Sequence, residues 1–277
     1  MSRELTKDKM IERSLITKFR KSIWAPFIRA IKEYELIDKN DKIAVCISGG
    51  KDSFILAKLM QNLQKFSDVP FELEYIVMDP GYNAKNREKI EENAKLLNLP
   101  IKIFNSNIFD VANSTPKNPC YLCARMRRGC LYKFAKDLGC NKIALGHHQN
   151  DVIETTLIAM FYGAQLQGML PKLNSTNFKG MQLIRPLFRI KEEAIENWVK
   201  YNNLEFIRCA CRFTEKNNDE DITSKRLEIK NLIKSLKETN EMIEDNILSS
   251  IHQVNLDTFV GYKTEGKEYT STMNLKR

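Results

Sequence analysis

The sequence predicts an α/β protein: a doubly wound, mainly parallel sheet of five strands, with extra helices before and after it. Short β-branched runs alternate with longer segments of helical period, the pattern of successive strand–helix units. Ser48, Asp79 and Gly146 each fall at the end of a predicted strand, and sheets of this kind bind ligands beyond the carboxyl ends of their strands. At 277 residues the chain is long enough to cover a sheet on both faces and still carry additions.

Taken in order, residues 4–37 have helical periodicity, with Leu5, Ile11, Leu15, Phe19, Ile23, Trp24, Phe27, Ile28, Ile31 and Leu36 on or near one stripe. Pro26 breaks it into two pieces that pack outside the main sheet. Lys42–Ile47 reads as the first strand, followed by a turn and a helix to about Lys65. Phe71–Met78 is the second strand, ended by the turn signal Asp79-Pro-Gly-Tyr. A helix over Ala84–Leu97 and a strand at Ile101–Phe104 follow, then a polar loop from Asn105 to Pro119. Cys120–Leu138 reads as a helix, Lys142–Gly146 as the fourth strand, Asp151–Tyr162 as a helix, Met181–Ile184 as the fifth strand and Glu192–Tyr201 as a helix. From about Asn217 to Gln253 the chain reads as charged helices with an apolar stripe of Leu227, Ile229, Leu232, Ile233 and Leu236. Asp257 to Arg277 is polar and Thr-rich, a tail expected to fray. The chain thus divides into an N-terminal helical segment (1–37), a central domain (38–213) and a C-terminal helical extension and tail (214–277).

Composition narrows the class. No run approaches the roughly 18 apolar residues of a membrane span, and residues 1–21 are too charged for a signal peptide, so the protein reads as cytoplasmic with no membrane partner. The net charge is +9, unevenly placed: residues 117–142 hold seven Lys/Arg against one acid, and residues 1–33 nine against four. Two basic segments fit a phosphate-backbone surface, although the N-terminal one also fits solvated helix faces. The seven cysteines are an odd number in a reducing compartment, which argues against a disulfide framework and turns attention to metal or redox chemistry.

The stretch with most chemical content is Ser48-Gly49-Gly50-Lys51-Asp52-Ser53. A strand, a Ser-Gly-Gly turn and a helix start form a phosphate cradle. The glycines permit positive φ and close approach, the first-turn N–H groups and helix dipole face an anion, and Lys51, Ser48 and Ser53 add charge and donors. The spacing is neither a Walker A loop nor a dinucleotide fingerprint. On the helix beginning near Pro119, Cys120, Cys123, Arg127 and Cys130 share one face. Two thiolates a turn apart can bind one metal or cluster, Arg127 favours the thiolate form, and Cys209 and Cys211 can complete a site. Cys46, Cys130 and Cys140 read as buried small hydrophobes. Of His147 and His148, adjacent and so pointing different ways, one packs and one meets a nucleotide or phosphate. Asp151 is both an N-cap candidate and a carboxylate placed to bind Mg²⁺ or move a proton.

Together with this loop, Pro119–Gly129, Ala144-Leu-Gly-His-His148, Met160-Phe-Tyr-Gly163, Gly168-Met, Pro171-Lys-Leu173 and Ile184-Arg-Pro-Leu187 resemble the tRNA 2-thiocytidine synthetases. These are the sulfur-transferring branch of the PP-loop ATP pyrophosphatases, whose fold is HUP-like. The resemblance runs from about Trp24 to Cys211. It implies ATP with Mg²⁺ on Ser48, Gly49, Gly50, Lys51, Asp52 and Ser53, in a crevice shared with Asp79 and Gly146. It also implies a [4Fe–4S] cluster held by three cysteines with one iron open to sulfur. By position these are Cys120, Cys123 and Cys211; where relatives often carry Cys-x-x-Cys this chain has Cys209-Ala-Cys211, so an ungapped register selects Cys209 instead. The implied reaction is adenylation of the C2 carbonyl of an anticodon-loop cytidine, then displacement of AMP by sulfur from a cysteine desulfurase persulfide or sulfide. Asp52, Asp151 and Arg127 are the implied catalytic residues. Related thiouridine enzymes commonly have lysine in place of Arg127; since arginine stays protonated, its role is positive charge on substrate or sulfide. The partner is tRNA, held by Arg125, Arg127 and Arg128 and the N-terminal helices; many relatives form homodimers, though no stretch here shows one.

Three alternatives remain open on the sequence. One is a PP-loop ATPase with another acceptor, either a different tRNA base or a nitrogen nucleophile. A second is a zinc-stapled nucleotide- and RNA-binding protein. The third, a reductase of adenylylated sulfate, expects a cysteine near the C-terminus, and none follows Cys211.

Overall fold

β1 (Lys42–Ile47) is the axis of the molecule, with five of its six residues buried. Its side chains alternate between two cores, as the two-residue period of a strand requires. Ile43, Val45 and Ile47 enter the larger core with Phe54, Ile55, Leu59 and Trp198. The smaller Ala44 and Cys46 enter another with Tyr132, Ala135, Ile143 and Leu183. A strand apolar on both faces is the mark of a parallel sheet covered on both sides.

The computed structural model describes residues 5–106, 119–207 and 220–270, with the backbone alone for 119–124 and 220–224. The helices are α1 (Lys7–Ile16), α2 (Ala25–Glu33), α3 (Lys51–Phe66), α4 (Ala84–Leu96), α5 (Pro119–Asp137), α6 (Gln149–Gly163), α7 (Glu192–Tyr201), α8 (Glu220–Thr239) and α9 (Ile243–Ser250). The other strands are β2 (Glu72–Asp79), β3 (Ile101–Asn105), β4 (Lys142–Ala144), β5 (Lys172–Asn174), β6 (Gln182–Ile184), β7 (Gly261–Thr264) and β8 (Lys267–Thr270). The main sheet runs β3-β2-β1-β4-β6-β5. All its pairings are parallel except β5 with β6. The doubly wound α/β class is therefore as expected, with six strands rather than five: β5 is a three-residue antiparallel edge, too short to show a period. The chain moves from β1 to β2 and β3 on one side, then returns to β4 on the other, so the carboxyl ends of β1 and β4 flank a topological switch point.

Two buried lysines fasten the N-terminal helices and their connection to the sheet. Lys58 on α3, 1% exposed, binds Glu12 of α1 at 3.1 Å and the Leu97 carbonyl at 3.1 Å. Lys142 on β4 binds Asp41 at 2.6 Å, Asp38 at 2.7 Å and the Leu36 carbonyl at 3.0 Å. Pro26 sits in the first turn of α2, as the expected break requires, and a π-helical turn (Arg20–Trp24) leads into it.

Two expectations for the C-terminal part need correcting. The apolar stripe of α8 is narrower than its sequence suggests: Ile229 and Ile233 are buried against α6 and α9, whereas Leu227, Leu232 and Leu236 are exposed. Residues 261–270 form a β7–β8 hairpin where a frayed tail was expected. Its two-residue loop has positive φ at Glu265 and Gly266, as a type I′ turn needs, and Tyr262 stacks on Tyr269 at 4.9 Å. Residues 271–277 lie outside the described residues. Among the described residues no helix is long and apolar enough to cross a membrane.

Replacing Lys142 with Ala leaves the Asp41 carboxylate, on a residue 4% exposed, without its cation. Urea denaturation of Lys142→Ala is expected to show a loss of about 3–5 kcal/mol; a change below about 1 kcal/mol would mean that this pair behaves as a surface ion pair.

Candidate active site

The Ser48–Ser53 turn is built around one hydroxyl. Ser53 Oγ accepts the Ser48 N–H at 3.1 Å and lies 3.3 Å from Ser48 Oγ, and it donates to the Gly50 carbonyl at 2.8 Å. This folds the turn onto the start of α3, whose N-terminus has no side-chain cap. The first turns of α4 and α6, in contrast, are capped by Asn83 and His148. An uncapped helix N-terminus at a strand end is an anion site in waiting.

Two glycines in the crevice are there for space. Gly49 has φ +90°, and a Cβ on it would lie 2.3 Å from Ile207 Cδ1 and 2.9 Å from Ile90 Cγ1. A Cβ on Gly146 would meet the backbone C and O of Asp52 at 3.0 Å, so Gly146 serves the crevice by letting β4 approach α3. Tyr82 Oη donates to the Ser48 carbonyl at 3.3 Å. Phe206 stacks on Phe54 at 5.3 Å, bringing the chain past the turn before Cys209 and Cys211.

Three helix N-termini converge here, each with a carboxylate in its first turn, the placement a helix dipole favours: Asp52 on α3, Asp151 on α6 and Glu192 on α7. His148, 4% exposed, lies between them. Its Nε2 is 3.9 Å from Asp52 Oδ1 and 3.8 Å from Glu192 Oε1, and its Nδ1 is 3.5 Å from Asp151 Oδ2. Asn150 Oδ1 accepts the Glu192 N–H at 2.9 Å, fixing the start of α7 against α6. Lys51 Nζ bonds Glu192 at 2.9 Å and lies 3.2 Å from Asp52 Oδ1. Burial opposes the charge of Lys51, but Asp52 and Glu192 outweigh it and raise its pKa. Burial likewise opposes the Glu192 carboxylate, but Lys51 overrides this and takes its pKa down to about 2. Asp52 Oδ1 is buried and has no hydrogen-bond partner.

Asp151 closes a capping box with His148: its Oδ2 accepts the His148 N–H at 3.0 Å. Its Oδ1 is bound by Arg226 of α8, whose Nε also bonds Glu154 at 2.6 Å. Lys230, one turn along α8, reaches Glu192 at 3.2 Å. The two carboxyls that share Arg226 diverge. Burial raises both, but at Asp151 His148 and Arg226 prevail and hold it below the usual carboxylate range. At Glu154, 2% exposed, burial prevails and raises it.

Of the residues expected at the site, the structure brings together Ser48, Gly49, Gly50, Lys51, Asp52, Ser53, Gly146 and Asp151. Asp79 is at its strand end, but its carboxylate is engaged in the adjoining turn: Oδ1 accepts the N–H groups of Gly81 and Tyr82 at 2.8 and 2.7 Å, and Oδ2 pairs with Arg87 at 3.2 Å. Arg127 is half-buried on α5. Cys209 and Cys211 lie outside the described residues, and of Cys120 and Cys123 only the helical backbone is described. Cys46 and Cys140 are buried thiols, as expected, with burial pushing both pKa values up, Cys140 to about 11. Cys130 packs near Met78. Sequence reasoning missed Glu192, Glu154, Arg226 and Lys230. For Glu192 there was a signal, the Glu192-Glu193 pair opening a helix after a strand; Arg226 is 75 residues from Asp151 and leaves none.

Residues 21–233 match the model of the PP-loop domain family. The tRNA-cytidine(32) 2-sulfurtransferase of Herminiimonas arsenicoxydans is 33% identical over 240 residues, covering 86% of this chain and 73% of that protein. The chain belongs to this family. The enzyme of that name from Delftia acidovorans is 37% identical over 202 residues, covering 72% of this chain and 64% of that protein. The chain thus spans about two thirds to three quarters of these relatives. In fold it is similar to the U34-tRNA thiolase NcsA of Methanococcus maripaludis, a structure with a [4Fe-4S] cluster. The TM-score is 0.64 at 19% identity, over 86% of this chain and 81% of that one.

Two outcomes test this geometry. Gly146→Ala, forced against the backbone of Asp52, is expected to lose about 1–3 kcal/mol and to weaken ATP binding by about tenfold or more. Gly129→Ala, with nothing within 4 Å of its added Cβ, serves as control and keeps ATP binding unchanged in isothermal titration. The second concerns His147, held by burial and by Arg185 at a pKa of about 4 against an ordinary 6.5. The unfolded chain takes up a proton that the folded one refuses, so this stabilisation is complete above 6.5 and is lost as pH falls towards 4. Denaturation midpoints should fall through that window in the wild type and less steeply in His147→Asn; equal slopes would refute the assignment.

Proposed function

We propose that the protein is an ATP-dependent tRNA sulfurtransferase that adenylates the C2 carbonyl of an anticodon-loop cytidine and replaces its oxygen with sulfur. The observation that carries the nucleotide half of this reading is the uncapped, glycine-floored N-terminus of α3 among the carboxylates of Asp52, Glu192 and Asp151. ATP phosphates fit the turn from Ser48 to Ser53, where N–H groups and Lys51 meet them. Four negative charges entering beside carboxylates require a cation between, and Asp52 Oδ1, buried with no hydrogen bond and facing only the Lys51 ammonium at 3.2 Å and His148 at 3.9 Å, is suited to Mg²⁺, which takes one or two carboxylates plus substrate phosphates. A carbonyl oxygen is a poor leaving group; adenylation makes its departure feasible. The chain's part in that step is to position ATP and base in line and to offset charge at the α-phosphate. Lys51, drawn off Glu192 by the phosphates, and the Arg226–Lys230 side of α8 provide that charge, while Asp151 remains a carboxylate facing the crevice. Arg127 is assigned positive charge near the substrate or sulfide.

The sulfur half rests on the cysteines. The α5 backbone is helical from Pro119, so Cys120 and Cys123 are one turn apart, and the chain reaches Cys209 and Cys211 from Ile207, which packs on Gly49. Buried protonated thiols such as Cys46 and Cys140 are poor ligands; among the others, the family resemblance selects Cys120, Cys123 and Cys211, with Cys209 as the alternative third, as the set for a [4Fe–4S] cluster. The cluster, when bound, supplies an open iron for sulfur delivered by a persulfide or sulfide donor. Bound tRNA, a cytoplasmic location and a homodimer belong to the same reading. Reaching one base in the loop requires splaying it from its stack.

The test is nucleoside mass analysis of tRNA after incubation with ATP, Mg²⁺ and sulfide under anaerobic conditions. Asp52→Asn is expected to lower 2-thiocytidine formation by on the order of 10²-fold or more with iron content unchanged. Cys123→Ser should lose the iron and keep ATP binding, and Cys209→Ser against Cys211→Ser identifies the third ligand. Zinc in place of iron and labile sulfide, with no thiolated nucleoside, would overturn the reading.

A further inference from the structure

The carboxylate network above leaves one buried cation unused. Arg185 follows β6 in the Ile184-Arg-Pro-Leu187 motif and is 7% exposed. Buried guanidinium groups ordinarily face a carboxylate. Arg185 instead donates from Nε to His147 Nδ1 at 3.3 Å and from Nη1 to the Leu170 carbonyl. Among the described residues no carboxylate lies within ion-pair distance of it. Both anchors are neutral, because His147 stays unprotonated near neutral pH; with Nδ1 accepting, its proton is on Nε2. The anchors fix the guanidinium plane and leave its charge uncompensated.

The side chain whose charge acts on it most strongly is a second arginine. Burial first, and the field of Arg128 second, pull Arg185 down to about 10. Arg128, on α5, is exposed and has no ion pair or hydrogen bond among the described residues. Tyr132, one turn further along α5, feels both arginines and stacks on Phe178 at 5.1 Å, which fixes that part of the helix beside β6. Asp151 also lies in the neighbourhood, but its oxygens are held by the His148 N–H and by Arg226. Two guanidinium groups near enough to feel each other's charge, one fixed and buried and one exposed, neither in an ion pair with a carboxylate among the described residues, are matched by an oxyanion from outside.

We propose that Arg185 and Arg128 form a phosphodiester site for the RNA substrate, gripping the backbone beside the reacting nucleotide. This rests on the tRNA reading above. The nucleotide turn follows β1, whereas Arg185 follows β6, two strands away in the order β1-β4-β6; that is a lateral offset of about 10 Å. The offset separates this site from the phosphates in the turn, and the exposure of Arg128 opens it to a backbone arriving from solvent. Arg185 sets the register of the strand, and the base is then presented across Gly146 to the crevice.

The test measures binding of an unmodified tRNA transcript with cytidine at position 32, across a salt series, to wild type, Arg128→Gln, Arg185→Gln and Arg185→Lys. ATP affinity and circular dichroism are the controls. Arg128→Gln, at an exposed position, is expected to weaken tRNA binding about tenfold and to reduce the salt slope by about 1, with ATP affinity unchanged. Arg185→Gln should do the same more strongly, and Arg185→Lys should restore the slope but not the full affinity. Wild type that binds tRNA while Arg128→Gln binds it as tightly, with the same slope, overturns the site. Loss of ATP affinity instead of tRNA affinity assigns the arginines to the nucleotide and also overturns it. Wild type that binds no tRNA overturns the tRNA reading, and the site with it.

Discussion

The contact on which the rest depends is the one between Gly146 and the first turn of α3. The end of β4 lies so close to Asp52 that a single added carbon would meet peptide backbone at 3.0 Å. That approach draws the N-termini of α3 and α6 into one crevice, and Asn150 then brings α7 in beside them. Three converging helix dipoles concentrate positive potential in one place. The carboxylates of Asp52, Asp151 and Glu192 answer that potential and hold the space a polyanion with its cation would occupy.

A cluster of acids needs compensation, and the molecule takes it from a distant element. Arg226 and Lys230 come from α8, which is held on α6 by Ile229 and Ile233. Hydrophobic packing of α8 and electrostatic completion of the crevice are thus one arrangement: shifting the helix would leave Glu154, buried at 2% exposure, without its cations. Asp151 and Glu154 share one guanidinium and still diverge, because burial prevails at Glu154 and leaves it readier to keep a proton, while His148 and Arg226 together hold Asp151 ionised.

The parts legible in the sequence were those determined locally. The two-sided burial of β1 could be read from its β-branched run, the turn from Ser48 to Ser53 from its glycines, and the start of α6 from the capping candidate Asp151, which closes the box with His148. What escaped has no period long enough to read, or depends on where a side chain points. β5 is three residues long and exists because β6 offers an edge; the hairpin at 261–270 hides its alternation among Thr, Lys and Glu. Asp79 was placed at the correct strand end, but the engagement of its carboxylate by Gly81, Tyr82 and Arg87 follows from how the turn after β2 folds, which its residue types do not show. Arg185 was visible as a motif letter, without its burial or its lack of an acid.

The long sequence separation between Asp151 and Arg226 has a consequence during synthesis. A chain leaving the ribosome can pair β1 to β4 and begin to bury α6 well before α8 is made. Through that interval Glu154 and Asp151 have no arginine, and the nascent crevice carries more negative charge than the finished one. Electrostatic completion of the crevice is therefore tied to the arrival of α8, so that a partly made chain, already folded around its sheet, keeps an uncompensated acid cluster until that helix is in place.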